Sequence, residues 1–174
     1  MKKALIVVDY QNDFVSGSLG FDGAELLCTV IEEKIKSFYK QNMDVYFTFD
    51  THAPDYLETR EGKKLPISHC IEGTEGWKIY PVLEKYLAGA KAIIKKKTFG
   101  SLLLGKYLEK EKYDEVELCG LVSDICVISN AIIAKAALPE AVIAVDRNAS
   151  SSFDKEMNDK AFDIMKGLQI EVRG

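Results

Sequence analysis

VELCGLVSDICVISNAIIAKA, residues 116–136, reads as a buried strand passing almost directly into a helix. Val116 to Leu118 have strand character, Gly120 breaks the run, and a helical pattern begins near Ser123 and stops before Pro139, whose ring cannot continue it. A strand followed at once by a helix is half of a parallel βα unit. The junction places Cys126 in the helix's first turn, where unsatisfied N–H groups and the positive end of the helix dipole favour thiolate over thiol. Free cysteines are more often small buried core residues, so the meaning of Cys126 depends on what else the chain brings to the same edge.

Working outward, Ala4 to Val8 form a continuous apolar run ending in Asp9, and Val45 to Phe49 form a second run closed by Asp50. Ala92 to Ile94 form a third, followed by Lys95, Lys96 and Lys97. The spacing predicts strands over 4–9, 44–49, 91–95, 114–119, 141–145 and 168–173, and helices over 24–40, 79–88, 101–111, 123–137 and 154–166. Such alternation predicts an α/β fold: a doubly wound, mostly parallel six-stranded sheet flanked by helices in three Rossmann-like layers. Ligands of such sheets bind beyond the carboxyl ends of the strands. There Asp9, one amine of the run Lys95, Lys96 and Lys97, and Cys126 supply an acid, an amine and a thiol, the constellation a cysteine amidohydrolase needs.

The whole span 1–174 is expected to be one domain, since 174 residues with 47% hydrophobic and 29% charged side chains suffice for a single core. A net charge of -4 gives no footprint for nucleic acid. The apolar start meets Asp9 too soon for a signal peptide, and no stretch approaches a membrane span. Cys28, Cys70, Cys119 and Cys126 lack disulfide-framework or zinc-ribbon spacing, which points to a reducing cytoplasm.

Segment 50–78 is long for a structureless connection inside one domain, and it holds both histidines, His52 and His69. Residues i and i+2 of an extended segment point the same way, so Asp50 and His52 can meet one cation. A mixed carboxylate and imidazole set suits Zn, Fe or Mn better than Ca or Mg. The other reading of the two histidines is one hydrogen-bonded within the loop and one exposed.

VVDYQNDF (7–14), KKKTFGS (95–101) and GLVSDICV (120–127) resemble, in order and separation, the three catalytic segments of the isochorismatase-like cysteine hydrolases. The resemblance covers nearly the whole chain. Within that superfamily DTHAPDYLETREGKKLPISHCIEGTEGW (50–77) is most similar to the nicotinamidases. The resemblance implies Asp9 as general base, Lys96 as its electrostatic partner and Cys126 as nucleophile; Lys96 is chosen because the family's lysine stands three residues before an aromatic, here Phe99. It implies a cis peptide between Leu121 and Val122, with the N–H groups of Val122 and Cys126 as an oxyanion hole. It also implies one divalent transition metal, zinc first and iron or manganese next, held by Asp50, His52 and His69 with a fourth ligand from Glu61 or Glu58. Glu61 is preferred because it is nearer His69 and precedes a glycine.

The implied reaction is nicotinamide plus water to nicotinate plus ammonia through a thioester, a step of pyridine nucleotide salvage, with Phe14 in the aromatic wall and a homo-oligomer as the expected assembly. Nicotinamidases commonly carry a bulky aromatic about three residues before the later metal histidine. Here Leu65, Pro66, Ile67 and Ser68 occupy that approach, leaving Tyr10, Tyr56 or Phe99 as replacements or another small amide as substrate. A metal-independent amidase is a further alternative. Isochorismate hydrolysis has no use for a thiol nucleophile, and a noncatalytic redox sensor has no need of Asp9, Lys96 and Cys126 together.

Overall fold

The computed structural model describes residues 1–174 and contains one six-stranded, all-parallel sheet in the order β3-β2-β1-β4-β5-β6. The strands are β1 (Lys3–Val8), β2 (Asp44–Asp50), β3 (Ala92–Lys96), β4 (Glu115–Leu121), β5 (Val142–Ser151) and β6 (Glu171–Arg173). The helices are α1 (Asn12–Val15), α2 (Leu27–Lys40), α3 (Pro81–Glu84), α4 (Leu102–Glu111), α5 (Ile128–Ala137) and α6 (Lys155–Gly167). No helix is long and apolar enough to cross a membrane.

Strand alternation sends Leu5, Val7, Val45 and Phe47 to one face, where Ile31, Ile35 and Phe38 of α2 cover them. Ala4, Ile6, Val116 and Leu118 face the other layer, under Leu104 and Leu108 of α4, Ala131 and Ala134 of α5, and Phe162 and Met165 of α6. Burying both faces is what makes β1 a continuous apolar run. Strand order reverses between β1 and β4, and the crevice beyond their carboxyl ends is where such folds bind ligands. Gly120 permits the close approach of these two strands. Its φ is +115°, and a Cβ there would lie 2.0 Å from the carbonyl oxygen of Val8.

Besides the short α1, which was not expected, and β6, which begins at Glu171 where a strand was expected from 168, three elements differ from the sequence expectation. Strand β5 runs on to Ser151 through polar residues, because pairing of Ser150 with Gly120 and Ser151 with Leu121 resumes after a register shift. The helix expected over 79–88 is only the turn Pro81–Glu84 and a 3-10 turn at Leu87–Gly89. The third difference matters for chemistry. Ser123–Val127 is a wide π turn, in which the Val122 carbonyl accepts from the N–H groups of both Ile125 (3.2 Å) and Val127 (3.1 Å), and α5 begins only at Ile128. Such turns are frequent at functional sites.

Candidate active site

The strand ends bring Asp9, Lys96 and Cys126 into contact. Asp9 follows β1 with φ +43°, a left-handed conformation that turns it out of strand geometry at the sheet's edge. Its Oδ1 accepts from the Thr48 hydroxyl at 2.6 Å, and its N–H donates to the Thr48 carbonyl at 3.1 Å. Lys96 Nζ lies 2.5 Å from Asp9 Oδ2, 3.5 Å from Cys126 Sγ and 3.4 Å from Asp50 Oδ1. All three residues of the group are buried, Asp9 completely.

Burial governs the charge states here. It pushes the Asp9 carboxyl up, with the Lys96 charge opposing. Burial would lower Lys96, but Asp9 first, then Cys126 and Asp50, hold it above the ordinary lysine range. The Cys126 thiol is pushed well above its ordinary value, first by burial, with Lys96 opposing and Asp9 adding to the rise. This differs from the sequence expectation of a thiolate primed by a helix start: desolvation opposes the turn's N–H groups and pushes the thiol toward its protonated form.

Asp50, His52, Glu61 and His69 form a second cluster, with one ligand atom from each lying within 4.8 Å of all the others. Asp50 Oδ2 is 2.9 Å from His52 Nε2 and 3.4 Å from His69 Nε2, and Glu61 Oε1 is 3.6 Å from His52 Nε2. Glu58 is exposed on a 3-10 turn outside the cluster. His69 Nδ1 donates to the Ile67 carbonyl at 2.8 Å, the outward bond that fixes a metal-binding histidine with Nε2 facing inward. Burial raises Asp50, yet hydrogen bonds from His52 and His69 and the Lys96 charge outweigh it and keep the group below the usual carboxylate range. Glu61 is pushed up by burial and then by the charge of Asp50. Two converging carboxylates that repel each other beside two imidazoles form a donor set that fits a divalent transition metal.

A cavity of about 800 Å³ is lined by Cys126 and Val122 and by Asp50, Glu61 and His69 of the second cluster. Phe14 also lines it, edge-on to His69 with ring centroids 5.6 Å apart. Leu121–Val122 is a cis peptide. Of the three replacements for the missing aromatic, only Phe99 reaches the cavity. Tyr10 is buried with its hydroxyl on the Ala24 carbonyl, and Tyr56 is buried against the histidine rings, with centroids 4.5 Å from His52 and 4.8 Å from His69. Phe153, two residues beyond β5, also lines the cavity and was not among the expected site residues.

Sequence reasoning also missed the residues that hold these groups. The Gln11 side-chain amide donates to the carbonyls of Asp50 (2.9 Å) and Trp77 (2.7 Å) and accepts from the Asp50 N–H (2.7 Å), so it clamps the Asp50 backbone. Asn130 donates to the carbonyls of Cys126 (2.8 Å) and Phe99 (3.0 Å) and accepts from the Ser101 N–H (3.0 Å), tying the Cys126 turn to the loop after β3. A polar amide four positions after Cys126, in a helix otherwise mostly Ala and Ile, was the available signal for Asn130.

The isochorismatase domain matches residues 3–173. A sequence relative, the uncharacterized isochorismatase family protein PncA of Bacillus subtilis, is 33% identical, with 90% of each chain covered. The crystal structure of the nicotinamidase/pyrazinamidase PncA from Bacillus subtilis superposes with a TM-score of 0.88 at 29% identity over 100% of both chains. The pyrazinamidase of Pyrococcus horikoshii in complex with zinc superposes with a TM-score of 0.86 at 25% identity, covering 99% of this chain and 98% of its own.

Proposed function

Because this chain belongs to the isochorismatase family, we propose that it is a cysteine amidohydrolase of the nicotinamidase type, converting nicotinamide and water to nicotinate and ammonia. The observation that carries the reading is the buried contact of Asp9 and Lys96 with Cys126, which lines a cavity together with Asp50, Glu61 and His69 of the second cluster.

Cys126 rests as a thiol, so its proton must leave as sulfur attacks the carboxamide carbon, and Asp9 is the carboxylate placed to take it. Lys96 stabilises Asp9 as carboxylate before the transfer and the developing thiolate during it. The N–H groups of Val122 and Cys126 are assigned to the oxyanion, at about 3 to 4 kcal/mol per donor in comparable acyl transfers. Asp9 returns the proton to the leaving nitrogen, ammonia departs and a thioester to Cys126 remains. Asp9 then draws a proton from water, which attacks the thioester and releases the acid and the thiol.

Asp50, His52, Glu61 and His69 are assigned to a divalent metal, zinc first, which when bound supplies a Lewis-acid contact for a ring nitrogen of the substrate. Phe14 and Phe99 are assigned to the walls beside the ring. A reducing cytoplasm suits the chemistry, since all four cysteines are free. The test compares ammonia release from nicotinamide and from benzamide, which keeps the shape and lacks the ring nitrogen. The reading predicts higher kcat/KM for nicotinamide; equal values, or no turnover of nicotinamide by metal-loaded protein, contradict it.

A further inference from the structure

The cavity mouth carries three cations that the proposed chemistry does not use. Arg60, Lys63 and Lys64 all line the cavity and all are exposed. None of them has a carboxylate within ion-pairing distance, whereas Lys78 and Lys95 on neighbouring segments are paired to Glu75 and Glu72. The two acids of the cavity, Asp50 and Glu61, are turned inward to the histidines and leave the rim's charge uncompensated.

Size points the same way. A volume of about 800 Å³ lies in the upper part of the roughly 300–1,000 Å³ range that holds drug-sized ligands, far more than one small ring with a carboxamide fills. The space between floor and rim is apolar: Phe99 and Phe153 are 42% and 62% exposed beside it. An amide seated at Cys126 with an apolar body along these rings would bring its far end to the cations.

We propose that Arg60, Lys63 and Lys64 are specificity determinants that select amides whose far end carries a carboxylate or similar anion. This rests on the amidohydrolase reading of the Cys126 site and extends its substrate class beyond a neutral ring amide. A carboxylate is strongly hydrated and enters an apolar cavity only at a cost, so without a cationic rim the neutral amide of a matched pair is the better substrate. That reverses the order expected here.

The matched pair is hexanamide and adipamate, equal in chain length and differing in the terminal carboxylate. Adipamate is expected to have the higher kcat/KM by ammonia release. The triple variant Arg60→Gln, Lys63→Gln, Lys64→Gln is expected to lower the adipamate to hexanamide ratio about tenfold, the scale of three exposed ion pairs. Salt is expected to lower the ratio too, as the screening length shortens from about 10 Å at 0.1 M to about 3 Å at 1 M. A parental ratio at or below one, or a ratio that the triple variant leaves unchanged, overturns the proposal while leaving the amidohydrolase reading in place. If the parental protein hydrolyses no amide, that reading fails, and calorimetry on Cys126→Ala protein still decides the rim. Tighter adipamate binding that the three Gln substitutions abolish supports it; equal binding of the two, or none, overturns it.

Discussion

Replacing Lys96 by Met keeps most of the side chain's volume and removes the one cation that touches both Asp9 and Cys126. Asp9 is fully buried, and its partners would then be the Thr48 hydroxyl and the thiol. At an effective dielectric near 20, opposite charges with centres about 4 Å apart contribute about 4 kcal/mol to the ionised form. Losing that from the state that accepts the thiol proton corresponds to a fall in kcat/KM of about a thousandfold near neutral pH. The fall shrinks as pH rises, because burial already pushes the Asp9 carboxyl up and the variant loses the main opposing influence. The acid limb of the pH–rate profile therefore moves to higher pH. Stability responds with a definite sign. Above the ordinary carboxyl value of 3.8 the unfolded chain has released the Asp9 proton while the folded variant keeps it, so stability falls with rising pH by up to about 1.4 kcal/mol per pH unit until the folded group ionises. Steady-state ammonia release and urea unfolding across pH measure both effects. A Lys96→Met enzyme within about threefold of the parent, with an unmoved acid limb, would refute the coupling argued from these contacts.

Gln11→Ala strips three hydrogen bonds from the backbone of Asp50 and Trp77 without touching any proposed ligand atom. At about 1 to 3 kcal/mol for a buried group left unpaired, urea unfolding should show a loss of at least about 2 kcal/mol, and zinc titration a 10- to 100-fold weaker site. Zinc affinity should also fall as pH is lowered, because His69 must be deprotonated to bind. Burial lowers that imidazole's pKa, but the hydrogen bonds with Asp50 and Ile67 leave it raised overall, so metal release should begin at higher pH than for an ordinary histidine near 6.5, as followed by a competing zinc indicator.

The architecture was legible because strands buried on both faces read as unbroken apolar runs, β1 meeting Asp9 and β2 meeting Asp50, while the half-exposed edge strand β3 still carries the apolar run Ala92–Ile94 into its lysines. The tail of β5 was not legible: DRNASS has turn composition, and only pairing with β4 makes it strand. The π turn was hidden for a related reason, since nothing in SDICV separates an i+4 from an i+5 bond to the Val122 carbonyl. At the site, Asp9, Asp50 and Cys126 announced themselves by position and Lys96, Glu61 and His69 through the family resemblance, while Thr48 passed as an ordinary strand residue and Gln11 as a loop polar. Their roles exist only through the backbone of another element. The upward push on the Cys126 thiol was not legible because local sequence reports the turn but not the depth of burial, and burial is its first cause. Phe153 lies outside all the segments that carry Asp9, Lys96 and Cys126, and only the fold carries it to the cavity.

The central claim is covalent catalysis at Cys126, and peptide mass spectrometry of protein quenched in acid during turnover of nicotinamide tests it most directly. The account predicts a nicotinoyl group on the peptide bearing Cys126, absent from a Cys126→Ala protein that stays folded and releases no ammonia. A nicotinoyl group on another residue, or nicotinamide turnover retained by Cys126→Ala, would contradict it.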